Sequence, residues 1–207
     1  MKKSPTLEQF SAFQAAYDYF NRTLFQGKLK PCLLNFRGKH KRNMGLFWPK
    51  KWVRSDGGVT HEIALNPEVL HRSLIETFAT LVHEMCHQWK ADFGTPTRGG
   101  YHDREWGQQM ELVGLIPSNT GLPGGKKTGQ QMTHYVAENG AFECAFHKMP
   151  EAVALPWLTG SLPDTANPPS KNKNKVKYEC GCGNMVWGKA DLLVLCGECG
   201  DPFAQQG

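Results

Sequence analysis

No apolar run in this chain of 207 residues approaches the roughly 20 residues that a membrane-spanning helix needs. Its start, MKKSPTLEQFSAFQ, has two lysines but neither an apolar stretch of leader length nor a small-residue cleavage site. Both absences point to a cytoplasmic protein, one able to associate with the nucleoid. In that compartment disulfides are rare and clustered cysteines more often hold metal. No internal repeat is present, which sets solenoid architectures aside. Acidic residues are also missing from Lys28 to Ser55, whereas Lys28, Lys30, Arg37, Lys39, Lys41, Arg42, Lys50, Lys51 and Arg54 fall there, interleaved with Phe36, Phe47, Trp48 and Trp52. Arg37, Lys39, Lys41, Arg42, Trp48, Lys50, Lys51, Trp52 and Arg54 are therefore candidate nucleic-acid contacts. A solvated hairpin whose basic edges resist aggregation would carry the same residues.

What is present fits one main core with a small appendage. The apolar share is 40%, with 22 Gly and 13 Pro, so long loops are expected beside that core. Ser4 and Pro5 suit a helix start, and Leu7, Phe10, Phe13, Tyr17, Phe20 and Leu24 keep helical spacing up to Gly27. LKPCLLNF, MGLFW and KWV read as short strands, and Ser55-Asp56-Gly57-Gly58 as a hairpin turn into the alternating Val59, His61, Ile63 and Leu65. These residues predict an α+β fold, with helices on a small antiparallel sheet. From Arg72 to Gly94 the apolar residues again hold a helical period, and a third helix is expected from about Asp103. Beyond Pro117 the pattern dissolves, and LPDTANPPSKNKNK reads as a linker.

The second helix contains His83-Glu84-Met85-Cys86-His87. At 3.6 residues per turn the two histidines share a face and can offer two imidazoles to one ion. Glu84 lies beside them, placed to take a proton from a water activated by that ion. Without a metal, such a buried histidine pair would be costly. A catalytic zinc needs a third ligand, and His102, Glu105 and Glu111 are candidates, with His102 modestly preferred. Lys90 and Phe93 stand where an extended metzincin pattern wants Gly and His. Tyr101, His134 and Tyr135 are candidates for steadying an oxyanion.

Near the end, Cys180 and Cys182 are followed after thirteen residues by Cys196 and Cys199. Four thiolates in two close pairs suit a tetrahedral structural zinc, with the intervening residues as the hairpin of a zinc ribbon. So short a segment cannot fold on apolar burial alone. Cys32, Cys86 and Cys144 lack paired spacing and read as apolar fillers. GLPGGKKTG is not a Walker A loop, since only three residues separate Gly121 from Gly125 and Lys127 precedes Thr128. It reads as a surface loop, in which Lys126 and Lys127 are available to phosphate.

The stretches FNRTLFQGKL, MGLFW, HEIALNP, LVHEMCHQWK and HDREW together resemble the SprT-like zinc metallopeptidases, the family of bacterial SprT and of the DNA–protein crosslink protease Spartan. The cysteine tail, with its short first pair, is similar to that of bacterial SprT. The resemblance selects His102 as third ligand, with His83 and His87 as the other two and Glu84 as general base. It implies a zincin-like core over residues 1–116, a Gly/Pro/Lys-rich insertion and linker at 117–177, whose MTHYVAENGAFECAF and PEAVALPWL could pack back on the core, and a zinc ribbon at 178–207. It also implies one catalytic and one structural Zn2+, proteins bound or crosslinked to DNA as substrates, single-stranded or damaged DNA as partner, and self-cleavage in the linker. The insertion departs from compact relatives and could be a lid. Two rival expectations are a non-catalytic, transcription-associated nucleic-acid-binding zinc protein and a zinc hydrolase of small amides. Glu84 discriminates the first, because a structural site has no need of a base.

Overall fold

The computed structural model describes residues 4–38, 43–159 and 176–206. The chain divides into two compact units, Met1–Gly160 and Ser161–Gly207. In the larger one, helix α1 (Pro5–Leu24) begins at Ser4, whose side chain makes no capping bond, and ends ahead of Gly27 at φ 70°. Its inner face buries Phe13, Tyr17 and Phe20. Helix α2 (Leu74–Phe93) opens on a capping box, in which the Ser73 hydroxyl accepts from the Glu76 amide and the Glu76 carboxylate accepts from the Ser73 amide. Phe78, Leu81, Val82 and Met85 of α2 are fully buried, so this helix runs through the core. The aromatic centre of that core is Phe20, whose ring lies 5.6 Å from both Phe78 and Phe142.

Strands β1 (Leu33–Phe36), β2 (Gly45–Val53) and β3 (Val59–Leu65) form a sheet in the order β1-β3-β2. The expected all-antiparallel sheet is corrected here, because β1 pairs with β3 in parallel. β2 turns back at Ser55–Gly58 into β3, which lies between β2 and β1, antiparallel to the first and parallel to the second. MGLFW and KWV, expected as separate strands, are the two halves of β2. A register shift lies between Trp48 and Trp52, where Lys50 has φ 50°. Ile63 and Leu65 bury one face of β3 against the helices.

Helix α3 (Arg104–Leu112) is capped by Asp103, whose carboxylate accepts from the Trp106 amide. The region that shows no sequence pattern is folded: β4 (Leu115–Ser118) pairs antiparallel with β5 (Thr133–Val136), and α4 (Ala141–His147) buries Phe142 and Ala145. Cys86 is buried as expected of an apolar filler and Cys32 is half-buried. Cys144 is not a filler, since it sits on the outer face of α4, exposed to solvent. Among the described residues no helix is long and apolar enough to cross a membrane. The linker lies largely outside the described residues, and with it the expected self-cleavage.

In the smaller unit, β6 (Val176–Glu179) pairs antiparallel with β7 (Met185–Gly188) on one side and β8 (Ala204–Gln205) on the other. Among the described residues of this unit, Tyr178 is the one large side chain buried to within 2%. The chain is thus a mixed α+β protein with four helices and small sheets among the described residues, ending in a four-cysteine cluster consistent with a zinc ribbon.

Candidate metal centre

His83 and His87 sit one turn apart on the buried stretch of α2, and His102 immediately precedes the cap of α3. One ligand atom from each of the three lies within 4.8 Å of the others. What brings His102 in is an ion cluster between the helices. Lys90 Nζ, in the last turn of α2, is 2.8 Å from the Asp103 carboxylate and also pairs with Glu105. Glu105, a candidate ligand by sequence, is therefore engaged by Lys90 and by the Thr95 amide at 2.9 Å. Glu111, another, is paired with Lys127 at 2.6 Å. Trp106 packs behind all three imidazoles, stacked on His87 at 5.2 Å and edge-on to His102 at 4.4 Å.

The donor set suits a divalent cation. Burial pushes His87 down to about 3 and His83 well below the usual imidazole range. His102 is also lowered, chiefly by burial. All three rings are therefore neutral at pH 7, with lone pairs available, as a metal requires. His87 is half-buried, and its ring borders the same open cavity as His83 and His102. Glu84 is 6% exposed, and no donor meets its carboxylate among the described residues. Burial alone pushes it up to about 8. It borders an open cavity of about 830 Å³ shared with the three histidines, Tyr101 and His134.

His134 is hydrogen-bonded to His83 through their Nδ1 atoms at 3.1 Å. Tyr101 borders the cavity beneath the guanidinium of Arg98, at 4.4 Å, whereas Tyr135 is not among its lining residues. The GLPGGKKTG loop is ordered by its own polar groups: Asn119 accepts from the Lys126 amide and the Ser118 hydroxyl donates to the Leu122 carbonyl. Its far end exchanges backbone hydrogen bonds with His102 through Gly129. Sequence reasoning missed Gly129, Lys90 and Trp106; only the last, four residues after His102, had a spacing that could have found it.

A model of the SprT-like family matches residues 13–127, the span that carries all three histidines and Glu84. The chain belongs to the SprT-like family. An uncharacterized protein in the mucB 3′ region of Salmonella typhimurium is 39% identical over 56 residues, 27% of this chain and 74% of that protein. No solved structure matches the chain. As a SprT-like protein it has a metallopeptidase-type histidine triad, and the spacing of His83 and His87 fits the family's H-E-x-x-H pattern.

Cys180, Cys182, Cys196 and Cys199 form a second group able to hold a metal, their sulfurs also within 4.8 Å of one another. Backbone amides of Cys199 and Glu198, and then the Asn184 side chain, favour the Cys196 thiolate and bring it down to about 6. Hydrogen bonds shared with Cys180 and Cys199 push Cys182 up to about 12. A cluster in which one thiol is already acidic and another retains its proton is what a cation completes by displacing the remaining protons.

Of the candidate nucleic-acid contacts, Arg37, Trp48, Lys51 and Trp52 come together on the sheet face turned away from α2. Lys51 Nζ lies 3.4 Å above the Trp48 ring, with the Arg37 guanidinium 5.5 Å from it. Glu62, fully buried on β3, pairs with Arg37 at 3.4 Å and accepts from Trp52 Nε1 at 2.6 Å. Lys50 contributes its backbone amide to His61 Nδ1 at 2.9 Å, and Arg54 pairs with Asp56 beside the turn. Lys39, Lys41 and Arg42 lie outside the described residues.

Proposed function

We propose that this chain is a zinc-dependent peptidase with a zincin-like core, acting on proteins bound or crosslinked to DNA. The observation that carries the reading is Glu84. A carboxylate without a partner, buried beside three converging imidazoles and bordering an open cavity, costs stability, and a purely structural metal site would not need it. A zinc ion held by His83, His87 and His102 supplies Lewis-acid activation of water and of a carbonyl oxygen. The carboxylate of Glu84, which borders the same cavity as the three imidazoles, takes the proton of the attacking water and returns it to the leaving amine. Trp106 and the cover of α3 keep bulk water from the back of the site, which strengthens the electrostatics at its front.

A peptide substrate is favoured over a small amide by the edge of the sheet. β2 is an edge strand whose Gly45, Leu46 and Phe47 border the cavity, so an extended peptide can add to it through backbone hydrogen bonds. The DNA part rests on the Arg37–Trp48–Lys51 stack, an aromatic face flanked by cations, which suits a single strand. The test compares the zinc-loaded chain with Glu84→Gln on a DNA-binding protein, with and without single-stranded DNA. Cleavage that needs Glu84 and rises with DNA supports the whole reading; cleavage indifferent to DNA leaves the peptidase and removes the partner. DNA binding without cleavage in either form favours a non-catalytic binding protein.

A further inference from the structure

We infer that His134 is a positioning residue of this metal centre, holding His83 in the tautomer that offers Nε2 to a divalent cation. The inference rests on the reading of His83, His87 and His102 as ligands. The two Nδ1 atoms of His83 and His134 are 3.1 Å apart, and two lone pairs do not face each other at that distance, so one nitrogen carries a proton. If His134 donated, the proton of neutral His83 would be on Nε2 and the lone pair on Nδ1 would be occupied, leaving nothing for an ion. His83 can be a ligand only if its Nδ1 donates and the bare Nδ1 of His134 accepts. His134 then keeps its own proton on Nε2.

The same logic holds at His102, whose Nδ1 is 3.1 Å from the Gly129 carbonyl, an acceptor only. Both outer partners come from the segment between β4 and the end of β5, and both lie beyond residues 13–127, where the family match ends. The β4–β5 pairing sets His134 opposite Pro117, and Gly129 is bridged to His102 by two backbone hydrogen bonds. This segment thus acts as a brace, fixing the orientation of two of the three rings from outside. Partners of this kind raise ligand basicity, and their loss typically lowers metal affinity about 10–100-fold.

The test uses the full chain and Co2+, whose binding by histidines gives ligand-field bands without the thiolate charge-transfer bands of the cysteine site. His134→Leu removes the acceptor; His134→Asn restores one, because its Oδ1 is bonded to Cγ as Nδ1 is. The expected result is a loss of histidine-site affinity of about 10–100-fold in His134→Leu and recovery of most of it in His134→Asn. Long-range 1H–15N NMR of the metal-loaded wild type should show an exchange-protected His83 Nδ1 proton. Unchanged affinity in the Leu variant, or an equal loss in both variants, overturns the inference. If the Leu variant misfolds, the NMR decides: a protonated Nε2 on His83, or no protected Nδ1 proton, overturns it. Neither readout depends on peptidase activity. A wild-type histidine site that takes up no cobalt overturns the metal-centre reading as well, whereas a filled wild-type site with an indifferent Leu variant overturns this inference only.

Discussion

At Gly45 a Cβ would lie 2.7 Å from Oε1 of Glu84 and 2.9 Å from Cγ2 of Thr80. The glycine is therefore a matter of space rather than of backbone freedom: β2 passes close enough to α2 that any side chain would push the Glu84 carboxylate out of place. Gly45→Ala should lower kcat at least about tenfold, since a displacement near 1 Å can cost about a hundredfold, while zinc content stays at the wild-type level. A parallel loss of zinc would place the damage in the ligands instead. The same residues set how the metal-free protein responds to pH. His83, His87, His102 and His134 are held by burial below their ordinary 6.5, with His87 near 3 and His134 near 4. Their contribution is present above pH 6.5 and is lost as pH falls toward those values. Glu84, raised from 4.5 to about 8, acts in the opposite sense, with its contribution present below 4.5 and lost as pH rises to 8. Below 6.5 four rings outweigh one carboxyl; above it only Glu84 titrates in this group. Thermal unfolding of the larger unit after chelation should peak near pH 6.5 and decline toward 8, and Glu84→Gln should flatten that decline. A wild-type unfolding temperature that climbs from 6.5 to 8 would contradict the assignment.

Among the elements, α2 and α3 are joined at their ends by Lys90, which is 11% exposed and shared between Asp103 and Glu105. Asp103 caps α3 and directly follows His102, so this cation sets where the third imidazole arrives. Lys90→Met should destabilise the fold by an amount between the ~1 kcal/mol of an exposed pair and the ~3–5 kcal/mol of a buried one, and should weaken metal binding along with it. A lowered melting temperature with unchanged zinc affinity would show that His102 is held by Gly129 alone. The long elements were legible in the sequence. Phe13, Tyr17 and Phe20 give α1 its period, and the apolar residues from Leu74 to Trp89 give α2 its own. β4, β5 and α4 were not, because strands of four residues and a helix of seven are too short for a period to rise above chance. The parallel pairing of β1 with β3 was hidden for another reason: alternation of side chains tells which face is buried, not which neighbour is paired.

Over the whole molecule, the two units should respond separately to loss of their ions. The smaller one leaves Trp187 60% and Leu193 88% exposed and has too little buried surface to fold unaided. Cys196→Ser should therefore reduce the zinc content from two ions per chain to one. It should also abolish the dispersed NMR signals of residues 176–206, leaving those of 4–159 in place. Loss of signals from both units would show that the larger one needs the ribbon in order to fold. The sequence by itself determined the chemistry here: which residues can ligate or carry a proton, and, through helical and knuckle spacing, that His83 pairs with His87 and Cys180 with Cys182. These are local relations, fixed by the geometry of one helix turn or one tight loop. His102 was preferred among the third-ligand candidates by family resemblance, but only the tertiary structure showed what holds it beside the other two histidines and that Glu105 and Glu111 pair with lysines. The tertiary structure alone decided that Glu62 sits beneath the basic face, and that Gly129 and His134 stand behind the ligands. Those are contacts between segments distant along the chain, and their partners are chosen by packing, which no spacing encodes.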